Sequence, residues 1–232
     1  MKYILYRIVR TLGYPIFLLL YRPEFEGRNN IPKSGSVILA GNHTNNLDAA
    51  MMIGAPKRIV HMMAKKELFS SKISNYFFRS MGCISVNRSI HDENAKSEAI
   101  DVLKNNEVLG IFPEGTVNKT LYKDNEQLLL PFKYGAVSFA KKTNAYIVPF
   151  AINGKYKIFS KDLKITFGKP YKVTGDLESE NEKLMNIVSK MILEGRNEKR
   201  FISKNNYSNS CSCRIRIFCI YKLYFQRKRF SI

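Results

Sequence analysis

Acidic residues are scarce in this 232-residue chain: 19 Asp and Glu stand against 38 Lys and Arg, a formal net charge of +19. The shortage is uneven, because residues 203–232 hold seven bases and no acid, which leaves +12 on the rest. A body that basic calls for an anionic partner: nucleic acid, an anionic lipid surface, or an acidic protein or cofactor. Cysteine is nearly missing from the body too. Only Cys83 lies outside the tail, and Cys211, Cys213 and Cys219 crowd together with no matching Cys/His pair elsewhere. Neither a zinc framework nor a disulfide scaffold is suggested, and the compartment reads as reducing. Long apolar runs are also lacking. Ile16–Leu20 is too short for a secretory signal, and no small-residue cleavage site follows it. The eleven uncharged residues between Arg10 and Arg22 reach roughly 16 Å as a helix, about half the hydrocarbon thickness, and are not expected to span. No internal repeat is visible. Zinc-finger, helix-turn-helix and RRM signatures are missing, so nucleic acid is not the expected partner.

What is present is a globular composition, 45% hydrophobic and 12% aromatic, in a chain long enough for one sizeable domain. The N-terminal residues are amphipathic at helical spacing. Ile4, Leu5, Ile8, Val9 and Leu12 share one arc and Lys2, Arg7, Arg10 and Thr11 the opposite one. Gly13 and Pro15 interrupt that pattern before the apolar run. Residues 1–22 are read as an interfacial anchor on an anionic membrane surface at the cytoplasmic face, rather than as a helix packed on the protein's own core.

Beyond a turn-rich stretch, strands are expected at Val37–Ala40, Ile59–Met63, Cys83–Val86, Val108–Phe112, Tyr146–Ile152 and Lys164–Phe167. Helices are expected after Asp48 as N-cap, and at Lys72–Met81, Asp92–Lys104, Phe132–Lys142 and Glu178–Leu193. This alternation predicts an α/β fold, one domain over 23–200 with a mixed sheet flanked by helices. The tail from Ser203 changes composition abruptly, keeps no amphipathic period, and reads as a disordered or out-of-frame end.

Two segments carry chemistry. In Asn42-His43-Thr44-Asn45-Asn46-Leu47-Asp48, a histidine at a strand end and a carboxylate five positions on can meet across the turn. Imidazole suits removal of a hydroxyl proton near neutral pH, and a carboxylate on its other nitrogen fixes the tautomer. This is the His–Asp part of a triad, with a substrate hydroxyl in place of serine. Gly110-Ile111-Phe112-Pro113-Glu114-Gly115-Thr116 has P-loop glycine spacing, but Lys is absent at 116 and Val117 follows, so that reading fails. What remains places Glu114 and the Gly115 and Thr116 amides at a sheet's carboxyl edge, where α/β ligands bind. Cys83 reads as a buried inert thiol, and His61 and His91 as structural or solvated.

Together these segments resemble the glycerolipid acyltransferases of the 1-acylglycerol-3-phosphate O-acyltransferase type. The ordered boxes of that family are NHxxxxD, a GCIFIDR-like strand, FPEGTRS and a VPVAI-like strand. Here they read Asn42-His43 to Asp48, Gly82-Cys83-Ile84-Ser85-Val86-Asn87-Arg88, Phe112-Pro113-Glu114-Gly115-Thr116, and Ile147-Val148-Pro149-Phe150-Ala151-Ile152. Ala64-Lys65-Lys66-Glu67-Leu68-Phe69 and Pro131-Phe132-Lys133-Tyr134-Gly135-Ala136 also look like the family, so the likeness covers about 22–195. It implies a glycerolphosphate acyltransferase-like fold and direct acyl transfer from acyl carrier protein or CoA thioester to lysophosphatidic acid, with neither metal nor cofactor. His43 would be the base, Asp48 its holder, and Arg88, Glu114, Gly115 and Thr116 the phosphate site. Lys65 and Lys66 are candidate donor contacts. Asn87 replaces a frequent Asp, and Val117-Asn118 replaces Arg-Ser, which removes a cation that Lys119 would have to supply.

Overall fold

The computed structural model describes residues 3–119 and 128–198; the basic tail lies outside the described residues. The chain divides into two compact units, Met1–Ile192 and Leu193–Ile232. The described residues of the second, 193–198, are helical. The sheet, its helices and the site belong to the first.

Seven strands form one sheet: β1 Glu24–Glu26, β2 Val37–Gly41, β3 Val60–Lys65, β4 Ile84–Val86, β5 Val108–Ile111, β6 Tyr146–Asn153 and β7 Lys164–Phe167. Their order is β1-β7-β6-β2-β5-β3-β4, parallel throughout except for the β6–β7 pair. The sheet is therefore mixed, as expected. β2 is buried at every residue, which is why it reads as an unbroken apolar run rather than an alternating one. Side chains still alternate between its faces. Ile38 and Ala40 enter one core with Leu109, Ile147 and Ala151, while Val37 and Leu39 enter the other with Val108, Val148 and Phe150.

Helices cover both faces. α1 is Ile4–Ile8, α2 Tyr14–Tyr21, α3 Asp48–Gly54, α4 Lys72–Ser80, α5 Glu93–Lys104 and α6 Gly135–Thr143, and α7 occupies 177–192. α5, α6 and α7 bury Ala95, Ala99, Val137, Leu184 and Val188 in the first core. α3 buries Met51 and Met52 in the second, with Phe17 and Tyr21 of α2 packed against it.

Three details differ from the sequence reading. β1 falls within the turn-rich stretch; its three residues pair with β7, and Glu26 accepts from Lys164 Nζ at 3.1 Å. A three-residue edge strand held this way leaves no periodicity to read. Asp48 is the first residue of α3, not its N-cap, and its side chain turns back to the preceding loop. Gly13 and Pro15 do not break the N-terminal helix. A π-helical turn at Val9–Gly13 joins α1 to α2, and a widened turn of that kind accommodates a proline ring that would clash with the carbonyl one turn back. The helical stretch Ile4–Tyr21 is thus 18 residues, with mean hydropathy 1.3, and by length and composition alone is long and apolar enough to cross a membrane.

Its aromatic side faces the domain, with Phe17 and Tyr21 packed on the second core. Tyr6 is buried, with its hydroxyl 3.1 Å from the Val60 amide, and Arg10 donates to the Pro56 carbonyl at 2.5 Å. Its apolar stripe faces outward instead, with Ile4, Ile8, Leu12, Ile16 and Leu19 all exposed.

Gly41 sets how closely β2 and β6 meet just before the His43 turn. A Cβ there would lie 2.1 Å from the Phe150 carbonyl oxygen, and backbone cannot yield as a side-chain tip can. Gly41→Ala is expected to destabilise the fold by about 1–3 kcal/mol or more, read as a lower denaturant midpoint at an unchanged slope.

Candidate active site

β2 and β5 are parallel neighbours paired from Val37↔Val108 to Ala40↔Ile111. The loops leaving their carboxyl ends, one carrying His43 and the other Phe112-Pro113-Glu114-Gly115, therefore emerge side by side. Asn42 fixes the first loop to β6, its side chain exchanging two bonds with the Ile152 backbone at 2.7 and 2.9 Å. His43 is then held by its own backbone. Its N–H donates to Glu114 Oε1 at 2.7 Å, and its carbonyl accepts from the Asn118 amide at 2.7 Å. Its ring lies flat on Phe112, with centroids 4.0 Å apart and 11° between planes.

Nδ1 of His43 lies 2.8 Å from Asp48 Oδ2. Asp48 is fully buried, which is costly for a carboxylate unless its oxygens are bonded. They are. Besides the imidazole, Oδ2 accepts from the Thr44 and Asn45 amides at 2.6 and 2.9 Å. Oδ1 accepts from the Thr44 hydroxyl at 3.1 Å and the Tyr156 hydroxyl at 2.6 Å. An acceptor on Nδ1 holds the ring proton there and leaves the Nε2 lone pair for a proton from outside. The imidazole is not sealed in: its side chain keeps 14% of its exposure.

Glu114 is buried, and both its oxygens are taken by backbone amides, His43 on one and Leu130 on the other at 2.8 Å. Burial pushes its carboxyl above the usual carboxylate range, against the pull of those two amides. In this arrangement it braces the loop that carries His43.

Beside the dyad lies a cavity of about 270 Å³. Its floor includes Met63, Val86, Ile111 and Phe139, and Phe112, whose ring also stacks on His43, borders it. Arg88, Lys133 and Gly115 line its polar side. Arg88 sits on a bend built by Asp92, which accepts from the Asn87 amide at 2.8 Å and, as N-cap of α5, from the Ala95 amide at 3.0 Å. Those amides hold the Asp92 carboxyl below its usual range. Asn87 contributes to the bend by accepting from the Ser89 amide at 3.1 Å. Gly115 has φ of +72°, and Lys133 passes so near that a Cβ at 115 would stand 3.0 Å from its Cε. Among the described residues, neither Arg88 nor Lys133 forms an ion pair.

The structure thus brings together His43 with Asp48, and Arg88 with Gly115 at the adjoining cavity. It does not place Thr116, Lys119, Lys65 or Lys66 on that cavity. Lys65 ends β3 and Lys66 opens the short 3-10 turn to Phe69, both exposed. Asn118 is buried, with its side chain donating to the Leu128 carbonyl at 3.4 Å.

Two residues outside the sequence-derived set complete the site. Lys133 stood in a family-like segment whose role spacing could not supply. Tyr156 lies 108 positions from its partner Asp48, and only the adjacency of β6 to β2 brings it there. Burial pushes the Cys83 thiol up to about 11, so at neutral pH it is no nucleophile. His61 is buried between the Gly82 carbonyl and Glu107, at 2.9 and 3.0 Å, and His91 pairs with Glu93 at the surface. No group of three or more His, Cys, Asp or Glu among the described residues could hold a metal ion.

Comparison with known proteins adds four findings. The acyltransferase family model matches residues 22–153. The 1-acyl-sn-glycerol-3-phosphate acyltransferase of Bacillus subtilis is 30% identical over 148 residues, 62% of this chain and 70% of that one. Its namesake in Borreliella burgdorferi is 33% identical over 144 residues, 61% of this chain and 55% of that one. In the crystal structure of the 1-acyl-sn-glycerophosphate (LPA) acyltransferase from Thermotoga maritima, the same fold recurs with a TM-score of 0.66 over 82% of this chain and 78% of that one; at 24% identity the likeness is one of fold.

Proposed function

We propose, for a chain that belongs to the acyltransferase family, that it moves a fatty acyl group from a thioester to the free hydroxyl of 1-acylglycerol-3-phosphate, giving phosphatidic acid. The observation that carries this reading is the 2.8 Å contact between His43 Nδ1 and a buried, fully bonded Asp48 beside a cationic cavity. His43 Nε2 takes the proton as the acceptor oxygen attacks the thioester carbonyl. The tetrahedral intermediate then collapses with cleavage of the carbon–sulfur bond, and the imidazolium returns the proton to the leaving thiolate. Asp48 keeps the ring in its tautomer and steadies the cation.

Arg88 and Lys133 hold the glycerophosphate, the guanidinium by paired charge-assisted bonds and the ammonium as a point charge. Lys133 supplies the second cation that Val117-Asn118 lacks, so loss of that arginine does not by itself argue for another acceptor. Glu114 acts through the His43 backbone rather than on the phosphate, which a carboxylate would repel. Lys65 and Lys66 are assigned to the donor, where the phosphates of CoA or the acidic helices of a carrier protein would meet them. The outward stripe of the N-terminal helix, with Arg7 exposed beside it, suits an anionic membrane surface at the cytoplasmic side.

Tyr156 is a positioning residue in this scheme. Tyr156→Phe removes one bond to Asp48 and is expected to lower kcat by about tenfold at most with the acceptor KM unchanged. The function itself is tested with purified protein, lysophosphatidic acid and each donor in turn, product being followed by mass spectrometry. Phosphatidic acid should form. Acylation of lysophosphatidylcholine or an aminolipid in its place would assign the chain to a different acceptor.

A further inference from the structure

The hairpin loop between β6 and β7 carries Tyr156 inward and an unusual tip outward. Ile158 and Phe159 are 60% and 63% exposed, in a stretch that also exposes Lys155, Lys157 and Lys161 and contains one acid, Asp162. Asp162 is used within the loop, accepting from the Lys155 amide at 2.8 Å. Phe159 has φ of +58°, a left-handed conformation that a bulky residue adopts at a cost. What fixes it there is its amide, which donates to the Leu20 carbonyl of α2 at 2.5 Å. A soluble loop gains nothing by spending backbone energy to turn a phenyl ring into water. The same loop meets α2 again where the Tyr21 and Tyr156 rings pack edge to face, with centroids 5.7 Å apart. The tip therefore joins the end of the helix that exposes Ile16 and Leu19.

We propose that residues 154–162 form a second lipid-contacting element, which inserts Ile158 and Phe159 into an anionic bilayer surface beside α2 while Lys155, Lys157 and Lys161 meet headgroup phosphates. Two large apolar side chains flanked by three lysines match an interface that is apolar below and anionic above. Tyr156, one bond from Asp48, ties that element to the dyad, so the hydroxyl to be acylated is met at the depth where the loop seats. The inference rests on the outward stripe of α2 facing lipid, and the test separates the two.

The chain contains no tryptophan, so Phe159→Trp and, separately, Leu19→Trp each create a single tryptophan that can be excited selectively over the tyrosines. Both variants are mixed with vesicles of phosphatidylcholine and phosphatidylglycerol, with and without bromines high on the acyl chains. The proposal predicts a blue shift and bromine quenching for both positions. It also predicts that Phe159→Ser weakens vesicle partitioning by about tenfold or more, with turnover of a dispersed short-chain lysolipid unchanged. Quenching at Leu19 but not at Phe159 overturns the loop's role and leaves the helix reading standing. Quenching at neither position overturns both. A Phe159→Trp response to soluble acyl carrier protein, and none to vesicles, overturns the proposal in favour of a protein-docking loop.

Discussion

Replacing His43 with alanine is expected to lower kcat by about 10²–10⁴-fold, while melting temperature and vesicle binding stay near those of wild type. The two halves of that expectation have separate causes. The ring supplies the base, and the Thr44 and Tyr156 hydroxyls that also meet Asp48 are far too weakly basic to take its place. Its backbone, by contrast, is tied to Glu114 and Asn118 through groups the substitution keeps. Asp48 loses one partner and retains the Thr44 and Asn45 amides and the Thr44 and Tyr156 hydroxyls. Steady-state kinetics with a thermal melt of the same preparation checks both halves. Activity within a few-fold of wild type would remove His43 from the proton transfer. A collapsed melt would show that the ring holds the loop as well as serving it.

The second large effect concerns the acceptor's phosphate. A charge-assisted bond is worth about 1.5–3 kcal/mol, so Arg88→Ala and Lys133→Ala should each raise the KM for lysophosphatidic acid by about ten- to a hundredfold. Both residues line the cavity and are exposed, and among the described residues neither is engaged in an ion pair, so little stability is lost with either. The phosphate-free analogue 1-acylglycerol supplies the control. Its turnover should be poor in the wild type and barely altered in either variant. Equal losses on both substrates would point to a collapsed cavity, and no change on either would place the phosphate elsewhere.

The sheet was largely legible because its central strands β2, β5 and β6 are buried almost throughout. Val37–Gly41 and Tyr146–Asn153 appear as short apolar runs bounded by turn residues, and no competing pattern overlies them. The His43–Asp48 pairing was legible because the four residues between them suffice to close the turn, so sequence distance and spatial distance agree. Legibility ended where they part. Tyr156 reaches Asp48 only because β6 lies next to β2, a fact of strand order that no local pattern encodes. Lys133 returns to Gly115 within the connection from β5 to α6, where its amide donates to the Pro113 carbonyl at 2.9 Å. Glu114 illustrates a different gap. A carboxylate in a box associated with glycerophosphate suggests a ligand contact, yet its two oxygens are occupied by the His43 and Leu130 amides. The N-terminal helix lays a mixed face on the domain, with Tyr6, Arg10 and Phe17 turned inward, and leaves both Arg7 and Leu12 outward. Hydropathy alone reports two faces but not which of them meets the domain.

The claim on which the rest depends is that Asp48 holds a proton on Nδ1 of His43 and leaves Nε2 bare for the acceptor hydroxyl. The chain has three histidines, so nitrogen-15 NMR of histidine-labelled protein, with His43→Ala to assign the signal, reads that tautomer directly. The account predicts a protonated Nδ1 and a nonprotonated Nε2 for neutral His43. A His43 found with its proton on Nε2 would contradict it, since the nitrogen facing the substrate would then have no lone pair to offer.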